Sequence, residues 1–332
     1  MEIWLWLAFF LFIVFLLVLD LGVFHRKSHV IQAKEALLWT FFWIFLALLF
    51  NILIYYMYEN HWMGIGNKIG HELSGKQAAL QFFTGYLIEK SLSLDNIFVI
   101  ALIFTYFSVP PIYQHRILFW GIMGALVLRG MMILAGAVLI QNFIWMVYVF
   151  GVMLIITAVK MLISRHDNLE PEKNPLVKIA KKIYPVATDY SGEKFFTKVD
   201  GKRTITPLFL VLIVIETTDV LFAIDSIPAI FAITYDPFIV FTSNVFAILG
   251  LRSLYFALAA VMDKFRYLKF SLVFILAYVG IKMILSHHYP IPTFVSLSVI
   301  VTILLIGVLG SIIGGKKDTA ALVSPLKENS SK

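Results

Sequence analysis

Nine stretches of the chain run apolar for about 20 residues or more, the length a helix needs to cross a hydrocarbon core of roughly 30 Å. They fall near 3–24, 36–58, 79–107, 116–139, 143–164, 206–233, 238–262, 268–287 and 291–313. Leu, Ile, Phe and Val fill them without alternation, which argues for helices over barrel strands. Lipid offers no partner to a backbone N–H or C=O, so each span must satisfy itself. The composition agrees: 60% of the 332 residues are hydrophobic and 14% are charged, where a soluble domain carries about 25% charged residues. The sequence predicts an all-α membrane protein of about nine transmembrane helices, with a polytopic domain over 1–315 and a cytoplasmic tail over 316–332.

The charges between the spans alternate. Basic residues follow span 1 (Arg26, Lys27, Lys34), span 3 (Arg116), span 5 (Arg165 to Arg203), span 7 (Lys264, Arg266, Lys269) and span 9 (Lys316, Lys317). The other connections are nearly free of them, apart from Lys68 and Lys76 in the 59–77 loop. Basic loops stay on the cytoplasmic side, so the N-terminus is expected outside and the C-terminus inside. This accounts for the formal net charge of +7 without a nucleic-acid partner; the partner that the composition does imply is the lipid bilayer. The charges of span 1 follow its apolar run, so the span is expected to be retained and not cleaved as a signal peptide. The chain has no cysteine, which excludes dithiol redox chemistry, disulfides and thiolate metal sites.

The 165–204 loop carries its own pattern. Leu176, Ile179, Ala180 and Ile183 share a helical face opposite Lys178, Lys181 and Lys182, as in a short helix lying on the inner membrane surface. Lys194–Val199 and Lys202–Thr206 flank Asp200-Gly201, a two-residue hairpin signal.

Two three-span units, spans 3–5 and 6–8, repeat each other. Leu94-Asp95-Asn96-Ile97-Phe98-Val99 aligns with Thr218-Asp219-Val220-Leu221-Phe222-Ala223, Leu128-Arg129 with Leu251-Arg252, and Lys160-Met161 with Lys282-Met283. From Asp to Arg is 34 residues in one unit and 33 in the other, and from Arg to Lys 31 and 30. With three spans in each unit, span 3 runs out-to-in and span 6 in-to-out, so the units are expected to be inverted. That is the plan of many secondary transporters, whose substrate site lies at the repeat interface.

Charges at membrane depth cost about 2.5 kcal/mol or more each on insertion scales. Span 3 nevertheless holds Glu89, Lys90, Asp95 and Asn96, and span 6 holds Glu216, Asp219 and Asp225. At roughly 100° per residue, Glu216 and Asp219 share a face, as do Glu89, Ser93 and Asn96. Asp225 falls elsewhere on an ideal helix. Pro228 follows it, cannot bond the Ile224 carbonyl and is expected to kink the span, which would re-aim Asp225. Carboxylates, an amide and a freed carbonyl form an all-oxygen set suited to Mg2+, Ca2+ or Mn2+. Two other readings stand beside it. Arg129, Arg252, Lys90, Lys160 and Lys282 could neutralise the acids in a structural salt-bridge network, with Arg129 and Arg252 deep enough to need an acid and Lys160 and Lys282 able to snorkel. The acids could also relay protons without a metal. His287 and His288, at the outer end of span 8, read as an interfacial pair and not as a metal entry site.

At these motifs the chain resembles the TerC/Alx family of membrane proteins. The resemblance is carried by Glu89 to Val99, by Glu216-Thr217-Thr218-Asp219-Val220-Leu221-Phe222-Ala223-Ile224-Asp225-Ser226-Ile227-Pro228-Ala229-Ile230, and by Thr242-Ser243-Asn244-Val245-Phe246-Ala247-Ile248-Leu249-Gly250-Leu251-Arg252. It runs from about residue 20 to 313, and length and hairpin look closest to the Alx branch. That family is associated with tellurite-resistance loci and with Mn2+ efflux across the bacterial inner membrane. The resemblance therefore implies Mn2+ as the bound substrate, with Glu89, Asp95, Glu216, Asp219 and Asp225 as functional acids. The leading expectation is an inner-membrane Mn2+ exporter using the inverted-repeat site and driven by proton exchange. Export of another small solute, and delivery of Mn2+ to exported proteins, are the rival functions. No organic cofactor, enzyme motif or protein partner is indicated.

Overall fold

The apolar runs are helical wherever they are described. The computed structural model describes residues 3–22, 33–66, 73–143, 145–163, 174–187, 190, 192–199, 201–259, 268–286, 289 and 291–328. Its helices are α1 (Ile3–Gly22), α2 (Ala33–Glu59), α3 (Gly75–Tyr106), α4 (Pro111–Asn142), α5 (Met146–Ile163), α6 (Pro175–Ile183), α7 (Pro207–Phe231), α8 (Pro237–Leu249), α9 (Leu251–Ala259), α10 (Leu268–Leu285) and α11 (Thr293–Glu328). Among the described residues six helical segments are long and apolar enough to cross a membrane: Lys34–Glu59, Pro111–Asn142, Met146–Ile163, Pro207–Phe231, Pro237–Leu258 and Thr293–Ser311. The protein is thus an all-α, multi-pass membrane protein.

Local sequence sets where the helices begin. Pro opens α4, α6, α7 and α8, at a position where its missing N–H costs nothing. Ser74 and Gln77 form a reciprocal capping box ahead of α3. Asp236 caps α8 by accepting from the backbone N–H of Phe238 at 2.9 Å and of Ile239 at 3.3 Å. The same buried carboxylate accepts the Tyr58 hydroxyl at 2.8 Å, tying α2 to the α7–α8 turn.

α3 packs on α8, α4 on α7, and α5 on α10, with α3 and α7 also in contact at the centre. At the α5–α10 crossing a Cβ on Gly280 would lie 2.8 Å from the Gly151 carbonyl oxygen, and one on Gly151 would lie 2.7 Å from Ile284 Cγ1. Small residues let these two backbones meet, as in other membrane helix pairs. Within the Pro237–Leu258 span, 89% of its apolar 18-residue window is buried, so α8 and α9 form the middle of the bundle. Outward-facing Leu38, Phe41 and Ile306 are exposed to the lipid side; such apolar surface would be a liability in water and is the normal lining of a bilayer-embedded helix.

Three details depart from the sequence reading. The predicted span over 238–262 is broken at Gly250 into α8 and α9. α7 runs unbroken through Pro228, which sits in its last turn with its carbonyl bonded to Ala232 N at 3.0 Å. α11 continues helical to Glu328, into the segment expected to be a tail. In the 165–204 loop, strands β1 (Phe196–Val199) and β2 (Lys202–Ile205) form an antiparallel hairpin turning through Gly201, whose φ is +75°. Arg116 reaches Glu193 at 3.2 Å, and Tyr190 donates to the Phe107 carbonyl at 2.6 Å, so the hairpin is fastened to the α3–α4 turn. On α6, Val177 and Ala180 are buried, while Leu176, Ile179 and Ile183 face outward beside the lysines. Arg26, Lys27, Arg165, Lys173, Asp200, Lys264, Arg266, His287 and His288 lie outside the described residues.

Candidate functional site

The intramembrane charges converge where α3, α4, α7 and α8 meet. Arg129, 2% exposed in the middle of α4, is the centre of the cluster. Its Nε donates to Asp219 Oδ2 at 3.0 Å and its Nη2 to Asp219 Oδ1 at 2.7 Å, a two-pronged contact with α7. Its Nη1 bonds Glu89 on α3 and reaches Asn244 Oδ1 on α8 at 3.3 Å. Asn244 Nδ2 in turn donates to Glu89 Oε2 at 3.2 Å. One guanidinium therefore satisfies two carboxylates, and an amide closes the ring. The planar fork of arginine suits this; a lysine could not bridge three helices in one plane.

Close approach of α4 and α7 makes the contact possible. A Cβ on Gly124 would overlap the Glu216 carboxylate, so Glu216 occupies space that only glycine leaves open. Glu216 thus sits one turn from Asp219 on the α7 face that meets α4.

A cavity of about 190 Å3 opens beside this cluster, between α3, α5, α7 and α10. Its polar lining is Glu89, Asp95, Asn96, Thr157, Lys160, Asp225 and Ser226. Thr157 donates to Asp225 Oδ1 at 2.8 Å, and Lys160 lines the same cavity. Asn96 Oδ1 and Ser226 Oγ are buried and have no hydrogen-bond partner. Buried polar atoms are almost always paired, so these two mark where a polar guest would bind. The donors are oxygens, the right chemistry for a hard divalent cation. Among the described residues no three His, Asp or Glu side chains gather as a ready-made metal cluster; a cation held here would draw on Asn96, Thr157 and Ser226 as well as on acids.

The remaining sequence candidates take separate places. Lys90 donates from Nζ to the Ala247 carbonyl at 3.1 Å, next to the break at Gly250. It acts as a cation at the C-terminal end of α8. Arg252 is buried and lines a smaller cavity with Thr218 and Asp219. Lys160 is exposed, whereas its repeat mate Lys282 is 5% exposed and does not snorkel to the surface. Asn244, Thr157 and Ser226 were not among the candidate ligands read from sequence. An amide in the apolar run of α8 was a usable signal for Asn244. Thr157 gave none, because intramembrane threonines commonly bond their own helix, as Thr84, Thr217 and Thr218 do here.

Residues 74–319 match the family model described as the integral membrane protein TerC family. The chain belongs to the TerC family. TerC relatives span nearly all of it. An uncharacterized membrane protein of Myxococcus xanthus, STKORF319, is 48% identical over 93% of this chain and 92% of its own length. An uncharacterized membrane protein of Rickettsia bellii is 44% identical over 93% and 97%. A Salmonella typhi protein, provisionally named a membrane-bound redox modulator, Alx, is 45% identical over 91% and 92%. No solved structure matches this TerC protein.

Proposed function

We propose that the protein exports a divalent metal cation, Mn2+ before others, through the cavity between α3, α5, α7 and α10. The observation that carries this reading is the cavity's lining of oxygen donors, with Asn96 Oδ1 and Ser226 Oγ buried and unpartnered. A cargo site must bind and then let go, which fits an incomplete ligand set better than a closed cage. Protons exchanged at Asp95, Asp225 or Glu216 would supply a coupling ion. The redox name of the Salmonella relative transfers poorly to thiol chemistry, since this chain has no cysteine.

The proposed architecture has nine spans in the bacterial inner membrane, N-terminus periplasmic and C-terminus cytoplasmic. To the six apolar spans it adds α1 and α10, whose apolar segments Ile3–Val18 and Phe270–Leu285 are shorter. The ninth is α3, long enough at 32 residues but carrying the site's charges. An inverted repeat is supported by the packing. If α3, α4 and α5 correspond to α7, α8–α9 and α10, then exchanging the units turns the α3–α8 contact into the α7–α4 contact and returns α5–α10 to itself. The same exchange carries the Arg129–Asp219 pair onto Arg252 and Asp95.

Metal uptake into inverted membrane vesicles tests the function, comparing Mn2+, Ca2+, Mg2+ and Zn2+. Asp95→Asn and Asp225→Asn are expected to fold normally and lose Mn2+ uptake. Normal Mn2+ uptake by both folded variants would remove these carboxylates from the site.

A further inference from the structure

Two cavities share part of their walls. The larger, about 190 Å3, holds Asp95, Asp225 and Ser226 on its wall. The smaller, about 30 Å3, has Ala125, Asp219 and Arg252 in its wall. Asn96 and Phe222 are the two residues that line both. Water needs roughly 10–15 Å3 of such space per molecule, so the smaller chamber has room for about two waters. A hydrated divalent cation, with some six waters around it, does not fit; an ion entering must first leave most of its shell behind.

The two shared residues differ in kind. Asn96 is fixed, 4% exposed on the core face of α3, and its unpartnered Oδ1 can stand in for a lost water. Phe222 is half-buried and lines both cavities. A ring packed on all faces cannot turn without strain, whereas one that borders cavities has space to change rotamer. An apolar ring also excludes hydrated ions while closed.

We propose that Phe222 is a gate between the two chambers: with the ring in place they are separate, and with the ring turned aside they join into one route past Asn96 to Asp219. The proposal rests on the transport reading for its purpose, but the gate itself can be tested without any cargo. Its repeat mate is Phe98, which lines neither cavity and would take the corresponding place if the two units exchanged conformations.

The cysteine-free chain makes the test direct. Met161→Cys puts a single thiol in the larger cavity and Ala125→Cys a single thiol in the smaller one. The probe is 2-aminoethyl methanethiosulfonate, a small water-soluble cation, applied to the purified full-length protein in metal-free buffer. Ala125→Cys is expected to react about tenfold more slowly than Met161→Cys, or slower still, because the open ring position is a minor state. Adding Phe222→Ala should remove most of that difference while leaving the Met161→Cys rate unchanged, and Phe222→Trp should not. If Phe222→Ala does not fold, judged by loss of the normal Met161→Cys rate, Phe222→Leu takes its place with the same expectation. An Ala125→Cys rate unaltered by a folded Phe222 variant overturns the gate. Should Phe222→Ala open the small chamber while Mn2+ neither slows labelling at Met161→Cys nor enters vesicles, the gate stands and the cation-export reading falls.

Discussion

Removing Arg129 should unfold the bundle more readily than removing either of its acids. The guanidinium is buried with two prongs on Asp219, at 3.0 and 2.7 Å, and a third group shared between Glu89 and Asn244. Arg129→Met keeps much of the side chain's bulk but leaves two carboxylates on neighbouring helices with no cation between them. Taking one partner from a buried ion pair costs about 3–5 kcal/mol. Here two acids lose the same partner, so the loss should reach the top of that range unless protons take the arginine's place. Asp219→Asn is milder. It preserves shape, and Arg129 keeps Glu89, so the loss is that of one charge-assisted contact, about 1.5–3 kcal/mol. Glu89→Gln should behave alike. The double variant Asp219→Asn, Glu89→Gln strands the arginine and should cost more than the sum of the singles. The assay is reversible unfolding of the purified protein in mixed micelles by titration with a denaturing detergent, read by tryptophan fluorescence. The cluster would not be organised around Arg129 if Arg129→Met unfolded no more easily than Asp219→Asn, or if the double variant were strictly additive.

Three further outcomes follow from particular residues. Gly124→Ala drives a Cβ into the Glu216 carboxylate and should lower stability by about 1–3 kcal/mol; adding Glu216→Ala should recover most of it, and no recovery would mean that the clash lies elsewhere. Pro228→Ala restores an N–H to the last turn of an already continuous α7, so membrane insertion and thermal stability should hold or improve while Mn2+ uptake weakens; wild-type uptake would show that the Ile224 carbonyl is not a ligand. Reporter fusions after Lys182 and after Lys317 should both give a cytoplasmic signal, and a periplasmic signal from either would undo the inverted topology.

Charged residues inside apolar runs were conspicuous in the sequence because their insertion is costly, and the structure puts Glu89, Arg129 and Asp219 in one network. Their partners were less visible. Lys90, grouped by sequence with possible counter-ions of the acids, bonds a backbone carbonyl at the α8–α9 break instead. At that break a Cβ on Gly250 would lie 2.9 Å from Lys90 Nζ and 3.1 Å from Trp43 Cβ, both from helices distant in sequence. A Gly followed by Leu-Arg in an apolar run gives no such warning. Pro228 misled in the other direction, because a proline in the final turn leaves little helix beyond it to kink.

The sequence by itself determined the class of structure, the position of the helices and which side chains carry intramembrane charge. Lipid leaves an apolar run of this length one stable conformation, and caps and prolines mark helix starts through contacts only a few residues apart. Helical periodicity also states which residues share a face, so the Glu89–Ser93–Asn96 stripe could be read directly. It does not state which helix that face meets. The meeting of α3, α4, α7 and α8 at Arg129 and the placement of Thr157 against Asp225 depend on contacts between residues from 40 to 155 positions apart, and the place of Phe222 in the walls of two cavities depends on the packing of the same helices. Those contacts follow from how grooves and small residues on different helices fit together, and that was decided only by the tertiary structure.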